Sequence, residues 1–225
     1  MRARLRVTLA AIVLAGLFGS GTAEAQSACD ALAGTLGPDQ TCHVEDAGAG
    51  YELNLDFPLG YPDQQALTDY LVPLRGDFID FAQSGPAHDR PYTLTATPTT
   101  YRSGAGTDSV VIQLSQDADP HPVSWYRAFN YDLGSHAPIT LATLFTPGVR
   151  PVDVAFPAVR RELEKRWQPE VLAEMLGEVD DHTFANFALT DDAVIFFFGQ
   201  GQLLGHPEGP LEVSVPRAAL APWLA

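Results

Sequence analysis

Basic side chains are scarce in this chain: 13 Lys and Arg stand against 28 Asp and Glu, a formal charge of −15. Proteins grip phosphate backbones by neutralising them with Lys and Arg, so this balance argues against nucleic acid as a partner. It argues equally against anionic lipid surfaces, where each nearby basic residue contributes about 1 kcal/mol. Solubility in an extracellular medium is the simplest role for the charge. An apolar run long enough to span a membrane is missing too. The stretch at residues 7–19 has 13 residues, whereas a bilayer-spanning helix needs roughly 20. Catalytic signatures are also lacking: there is no G-x-S-x-G elbow, H-E-x-x-H, phosphate loop or dinucleotide glycine fingerprint. No catalytic residue, resident metal or cofactor is therefore expected.

What is present begins with an address. Arg2, Arg4 and Arg6 precede the apolar stretch, and small residues follow, ending in Ala23-Glu24-Ala25. A basic start, a short apolar run and an A-x-A site are the parts of a cleaved secretory signal. Residues 1–25 read as that signal, with the mature chain starting at Gln26 and working outside the cell. Removing them takes away three arginines and one glutamate and moves the formal charge from −15 to −17. Cys29 follows Gln26-Ser27-Ala28, a poor context for a lipid anchor.

The only two cysteines, Cys29 and Cys42, lie 13 positions apart at the start of the mature chain. In an oxidising compartment such an isolated pair reads as a disulfide. Free thiols or half of a metal site are the alternatives. His43 adjoins Cys42, yet no second Cys or His stands at ligand spacing.

Two hydrophobic periods alternate irregularly along the rest. Residues 51–57 alternate strictly between apolar and polar, as a half-buried strand does. Asp63 can then cap a helix on which Leu67, Tyr70, Leu71, Leu74, Phe78 and Phe81 share a face. Pro73 inside that pattern predicts a bend or break. Strands are expected at 92–101, 109–116 and 123–133, the first two joined as a hairpin by Ser103-Gly104-Ala105-Gly106. A strand end and helical turn at 138–145, helices at 152–167 and 170–177, strands at 184–189, 193–198 and 211–215, and a short helix at 217–224 complete the reading. The order is α+β: antiparallel or mixed sheets packed with two main helices, not a doubly wound sheet. Phe196, Phe197 and Phe198 must occupy both faces of their strand. It is then either a central core strand, the favoured reading, or a sticky patch.

One polar cluster stands out. Asp117-Ala118-Asp119-Pro120-His121-Pro122 packs two carboxylates and an imidazole into five positions. Alternate residues of an extended loop could face one cation, but the glycine and distal glutamate of a calcium loop are absent. Ser124, His121 and Asp132 supply the residue types of a nucleophile, base and orienting carboxylate, with no spacing that brings them together. If the chain were a hydrolase with an unrecognised site, Asp119, His121 and Asp132 would be its first candidates. Gly199-Gln200-Gly201 lacks the third glycine of a phosphate cradle and reads as a strand exit.

Several blocks are distinctive. Cys29 and Cys42, Tyr61-Pro62-Asp63-Gln64, His121-Pro122 ahead of Tyr126-Arg127-Ala128-Phe129, Asn186-Phe187-Ala188-Leu189-Thr190 and Val215-Pro216-Arg217 resemble the mycobacterial secreted immunogenic antigens typified by MPT-sixty-four. From about His121 onward, Phe129-Asn130-Tyr131-Asp132-Leu133, Ile139-Thr140-Leu141 and Leu144-Phe145 are similar to a domain of unknown function in RsiV-type anti-sigma-factor ectodomains. The resemblance implies a single α+β domain over 26–225, with a subdomain boundary near 118 and a β-grasp-like element. It implies a secreted, antigen-like monomer that binds a protein or surface and carries no active site. In the RsiV-type relatives the domain binds lysozyme, so the partner it suggests is a basic protein. An envelope-associated structural protein is the remaining reading.

Overall fold

The computed structural model describes residues 20–84, 89–118 and 120–225. Most of the expected signal, residues 1–19, lies outside the described residues. The described chain opens in helix α1 (Ser20–Asp30), which runs across the expected Ala25–Gln26 cleavage site. A seven-stranded sheet follows: β1 (Thr35–Leu36), β2 (Thr41–Gly48), β3 (Tyr51–Pro58), β4 (Tyr92–Ser103), β5 (Thr107–Asp117), β6 (Val123–Asp132) and β7 (Ala137–Pro138), in that spatial order. Every pair is antiparallel except β3 and β4. Helix α2 (Gln64–Gln83) connects those two, because a parallel pair needs a crossover.

Asp63 caps α2 by accepting from the Ala66 N–H at 3.3 Å. The helix runs uninterrupted through Pro73, contrary to the expected break at that residue. Pro73 sits on the exposed side, where the carbonyl freed four residues back, on Asp69, faces water instead of the core. Leu67, Leu71 and Phe78 are buried against the sheet. Phe81 is not: it is 49 % exposed and stacks on Tyr92 at 5.7 Å.

The C-terminal part adds a short helix α3 (Leu141–Leu144), helices α4 (Pro151–Leu163) and α5 (Pro169–Met175), and a small sheet. That sheet holds β8 (Phe187–Leu189), β9 (Ala193–Phe198) and β10 (Leu211–Pro216), with β9 central and all pairs antiparallel; a last helix, α6 (Arg217–Leu220), follows. Phe184, expected in a strand, lies instead in a 3-10 turn (Asp181–Phe184) capped by Asp180. The fold is α+β, with α2 and α4 as its main helices.

Four layers result: α1 and α2, the large sheet, the small sheet, and α4 with its neighbours. Leu55, Phe57, Leu94, Ile112 and Leu114 pack under α2. Val111, Ala188, Ile195 and Phe197 fill the space between the sheets. Val194, Phe196, Phe198 and Val215 pack against Val159 and Leu163 of α4. β9 is thus covered on both faces, which makes it the core strand and not a sticky patch. The small sheet is narrower than the large one: it covers β5, β6 and the end of β4, where Tyr101 packs on Phe197 at 5.9 Å.

Candidate functional site

Cys29 and Cys42 are bonded to each other, both fully buried, with Cα atoms 5.5 Å apart. The bond ties α1 to the large sheet. Asp119 lies outside the described residues, and the other three residues of the polar cluster do not converge. Asp117 ends β5 in a two-point ion pair with Arg90, at 2.7 and 2.8 Å. The Arg90 guanidinium holds its carboxyl below the usual carboxylate range. His121 is exposed in the β5–β6 loop. Asp132 is at the far end of the ladder that runs from Gln116↔Val123 to Thr107↔Asp132, roughly 30 Å away at ~3.3 Å per residue. Its Oδ1 accepts from the Gly134 and Ser135 N–H groups at 2.7 and 3.2 Å, which depress its pKa. Ser124 donates to Ser115 Oγ at 3.2 Å and is not hydrogen-bonded to an imidazole.

The distinctive asparagines have structural employment. Asn130 Nδ2 donates to the Phe187 carbonyl at 2.8 Å, and Asn186 Oδ1 accepts from the Ala128 N–H at 3.0 Å. Ser109 Oγ accepts from the Leu189 N–H at 3.2 Å. These reciprocal bonds satisfy open backbone groups of β6 and β8 and lock the two sheets together. The Gly199 turn belongs to the same junction. A Cβ there would stand 3.2 Å from Trp125 Cα, and the next N–H, of Gln200, donates to the Ser124 carbonyl at 2.8 Å. Gly199-Gln200-Gly201 is a strand exit pressed against β6, with Gly201 at φ +76°.

Among the described residues, what remains open is the outer face of β2, β3 and the start of β4, beyond the reach of the small sheet. The β2–β3 hairpin turns at Ala49 and pairs His43 with Asp56, Glu45 with Asn54 and Ala47 with Glu52. β4 adds Thr93 beside Glu52 and Thr95 beside Asn54. Their opposite neighbours, Val44, Leu53, Leu55 and Leu94, are buried under the helices, so alternation sends the polar set outward. A shallow hollow of about 510 Å³ lies on this face, lined by Glu45, Glu52, Asn54, Thr93 and Thr95. Asp46 instead turns to the helix side, where it pairs with Arg75 and accepts from Tyr51.

Beside the hollow, His43 Nδ1 and Asp56 Oδ1 are 2.8 Å apart. This is the one imidazole–carboxylate hydrogen bond between described residues, and sequence reasoning missed it. The signal was available: Gly48-Ala49-Gly50 marks a hairpin turn, and counting outward from it sets position 43 opposite 56. The carboxylate can fix the imidazole tautomer, and Nε2 lies against Gly37, where an added Cβ would stand 2.6 Å from it. Among the described residues no group of three or more His, Cys, Asp or Glu side chains could hold a metal ion. No helix among them is long and apolar enough to cross a membrane.

Comparison with known proteins places this geometry. Residues 142–218 match the family described as a protein of unknown function, DUF3298. Two solved members share the fold. One, from Pseudomonas aeruginosa, has a TM-score of 0.62 at 14% identity, over 84% of this chain and 96% of its own. The other, from Bacteroides fragilis, has a TM-score of 0.56 at 13% identity, over 84% and 95%. Esterase Rv3036c of Mycobacterium tuberculosis is 41% identical over 223 residues, 97% of this chain and 98% of that protein. Immunogenic proteins MPT64 of Mycobacterium tuberculosis and MPB64 of Mycobacterium bovis are each 36% identical over 229 residues, the whole of both chains. At that identity and coverage the chain belongs to the family that holds the mycobacterial immunogenic proteins MPT64 and MPB64 together with Esterase Rv3036c.

Proposed function

We propose that this chain is an exported, antigen-like protein that binds a basic protein outside the cytoplasm through the open half of its large sheet. The carrying observation is the uncovered β2–β3–β4 face, with carboxylates at Glu45 and Glu52 framing a hollow edged by Asn54, Thr93 and Thr95. The leader pattern of residues 1–25, the buried disulfide and the relatives named as immunogenic proteins support export and the antigen-like role. A surface of this sign steers cationic partners, chiefly through the association rate. The test is capture at low ionic strength on the immobilised mature chain. Purified basic proteins are expected to bind wild type and to be lost from the Glu45→Lys, Glu52→Lys double variant. Equal capture by both proteins removes the assignment to this face. Capture by neither removes the binding reading.

Esterase Rv3036c and the 2.8 Å His43–Asp56 pair favour a second reading, a secreted ester hydrolase. There His43 would act as general base with Asp56 as its positioning carboxylate. Turnover of p-nitrophenyl esters that disappears in His43→Ala and persists in His121→Ala would establish it and overturn the non-catalytic reading. Turnover absent from wild type would remove it.

A further inference from the structure

The outer edge of β2 is half covered. β1 pairs only with Cys42 and His43, and the Thr41 carbonyl accepts from the Gly37 N–H at 2.8 Å. The odd-numbered residues of β2 therefore direct their backbone groups away from β3. The parity continues, so the N–H and C=O of Glu45 and Ala47 point outward with no strand beside them among the described residues. Side chains alternate in the other dimension. Glu45 and Ala47 stand on the open face, paired with Asn54 and Glu52. Ala47 is exposed and small, so a long side chain laid over it from outside the edge reaches the Glu52 carboxylate.

We propose that this edge takes up an extended segment of a partner protein carrying Lys or Arg at alternate positions. Such a strand offers backbone bonds to Glu45 and Ala47, and places one cation beside Glu45 and the next over Ala47 toward Glu52. Charge complementarity selects the occupant, because the exposed ionisable side chains framing the hollow are acidic. The inference rests on the binding reading above and adds to it the partner's chemistry and its mode of attachment. Charged edges also serve as guards against unwanted pairing; a guard stays unpaired in the presence of a basic strand, whereas a docking edge does not.

The probe is a short blocked peptide in which Lys alternates with Thr and Val, with a Glu-for-Lys counterpart as control. It is titrated into the ¹⁵N-labelled mature chain while amide exchange is followed. On binding, the Glu45 and Ala47 amides are expected to slow by ~10-fold or more, with no response to the control. Ala47→Pro removes an outward N–H while leaving the β2–β3 ladder its bonds, and is expected to weaken the peptide by ~10-fold. Peptide binding with those amides unprotected and Ala47→Pro neutral overturns strand addition and leaves the binding face standing. Capture of basic proteins without any peptide binding does the same. Loss of both removes the edge and the functional reading together. If Ala47→Pro does not fold, exchange in the wild-type chain decides.

Discussion

Asn130 shows how far a residue type underdetermines its role. It stands in the distinctive Phe-Asn-Tyr-Asp-Leu block that carries the family resemblance, and it is 4 % exposed and spends its amide on the Phe187 carbonyl. Replacing it with Ala leaves that carbonyl unpaired inside the protein, a loss of ~1–3 kcal/mol. Asn130 Oδ1 itself lacks a partner among the described residues, so removing it also relieves one orphan, and the low end of the range is expected. Asn186→Ala is expected to cost a similar amount. The double variant should depart from the sum, since both residues serve one junction; urea unfolding midpoints of the single and double variants check this. The carboxylates give a second residue-level expectation. Asp117, Asp132 and Asp180 are depressed by bonds from the Arg90 side chain and from the backbone N–H groups of Gly134 and Thr183 respectively. A depressed acid stabilises the fold above its unfolded value, here 3.8, and that contribution is lost as pH falls through the folded value. Stability is therefore expected to hold at neutral pH and decline below about pH 4, as thermal melts across an acid series would show.

Elements with a full alternation or a full helical face could be read from sequence; short or interrupted ones could not. β3, β5, β6 and β9 carry long apolar patterns, and α2 repeats its buried face over five turns. β2 escaped because only Cys42 and Val44 mark its inner face before Glu45 and Asp46 dilute the pattern. With β2 unread, its pairing with β3 was hidden, and so were the His43–Asp56 contact and the open face. No sequence period distinguishes a polar face that stays bare from one that another sheet covers. That depends on where the small sheet lands, which Asn130, Asn186 and Ser109 decide through contacts 57 to 80 positions apart. The reading of Phe184 as strand failed for a local reason: Asp180 accepts from the Thr183 N–H at 2.9 Å and closes a 3-10 turn first. Pro73 failed in the other direction, being tolerated on the wet side of α2. It still forfeits a helical hydrogen bond, so Pro73→Ala is expected to raise stability by ~1 kcal/mol, within the ~3 kcal/mol bound for an interior helix proline. A Tm that falls in this variant would show that the ring packs usefully.

At the scale of the whole molecule, the disulfide joins α1, which spans the expected cleavage point, to β2, which borders the proposed binding face. The helix crosses the expected cleavage point, while Ala28, Cys29 and Leu32 behind it are buried and Cys29 is bonded to Cys42. Cleavage after Ala25 would therefore leave the docked part of the helix in place. The intact mass of protein collected from culture medium is expected to correspond to a chain starting at Gln26, and a mass that retains residues 1–25 contradicts the leader reading. The mature chain would then carry a formal charge of −17, and that charge makes ionic strength a diagnostic of how a partner is held. Attraction between the acidic face and a cationic protein acts over a Debye length of ~30 Å at 0.01 M salt but only ~8 Å at 0.15 M. Long-range steering is lost over that interval, whereas backbone bonds at the β2 edge are not. Association rates measured by surface plasmon resonance are expected to fall by at least ~10-fold between the two conditions, with dissociation rates changing far less. Dissociation that accelerates in step with the loss of association would mean that exposed charge alone holds the complex. A rate pair insensitive to salt would mean that the acidic face plays no part in recognition.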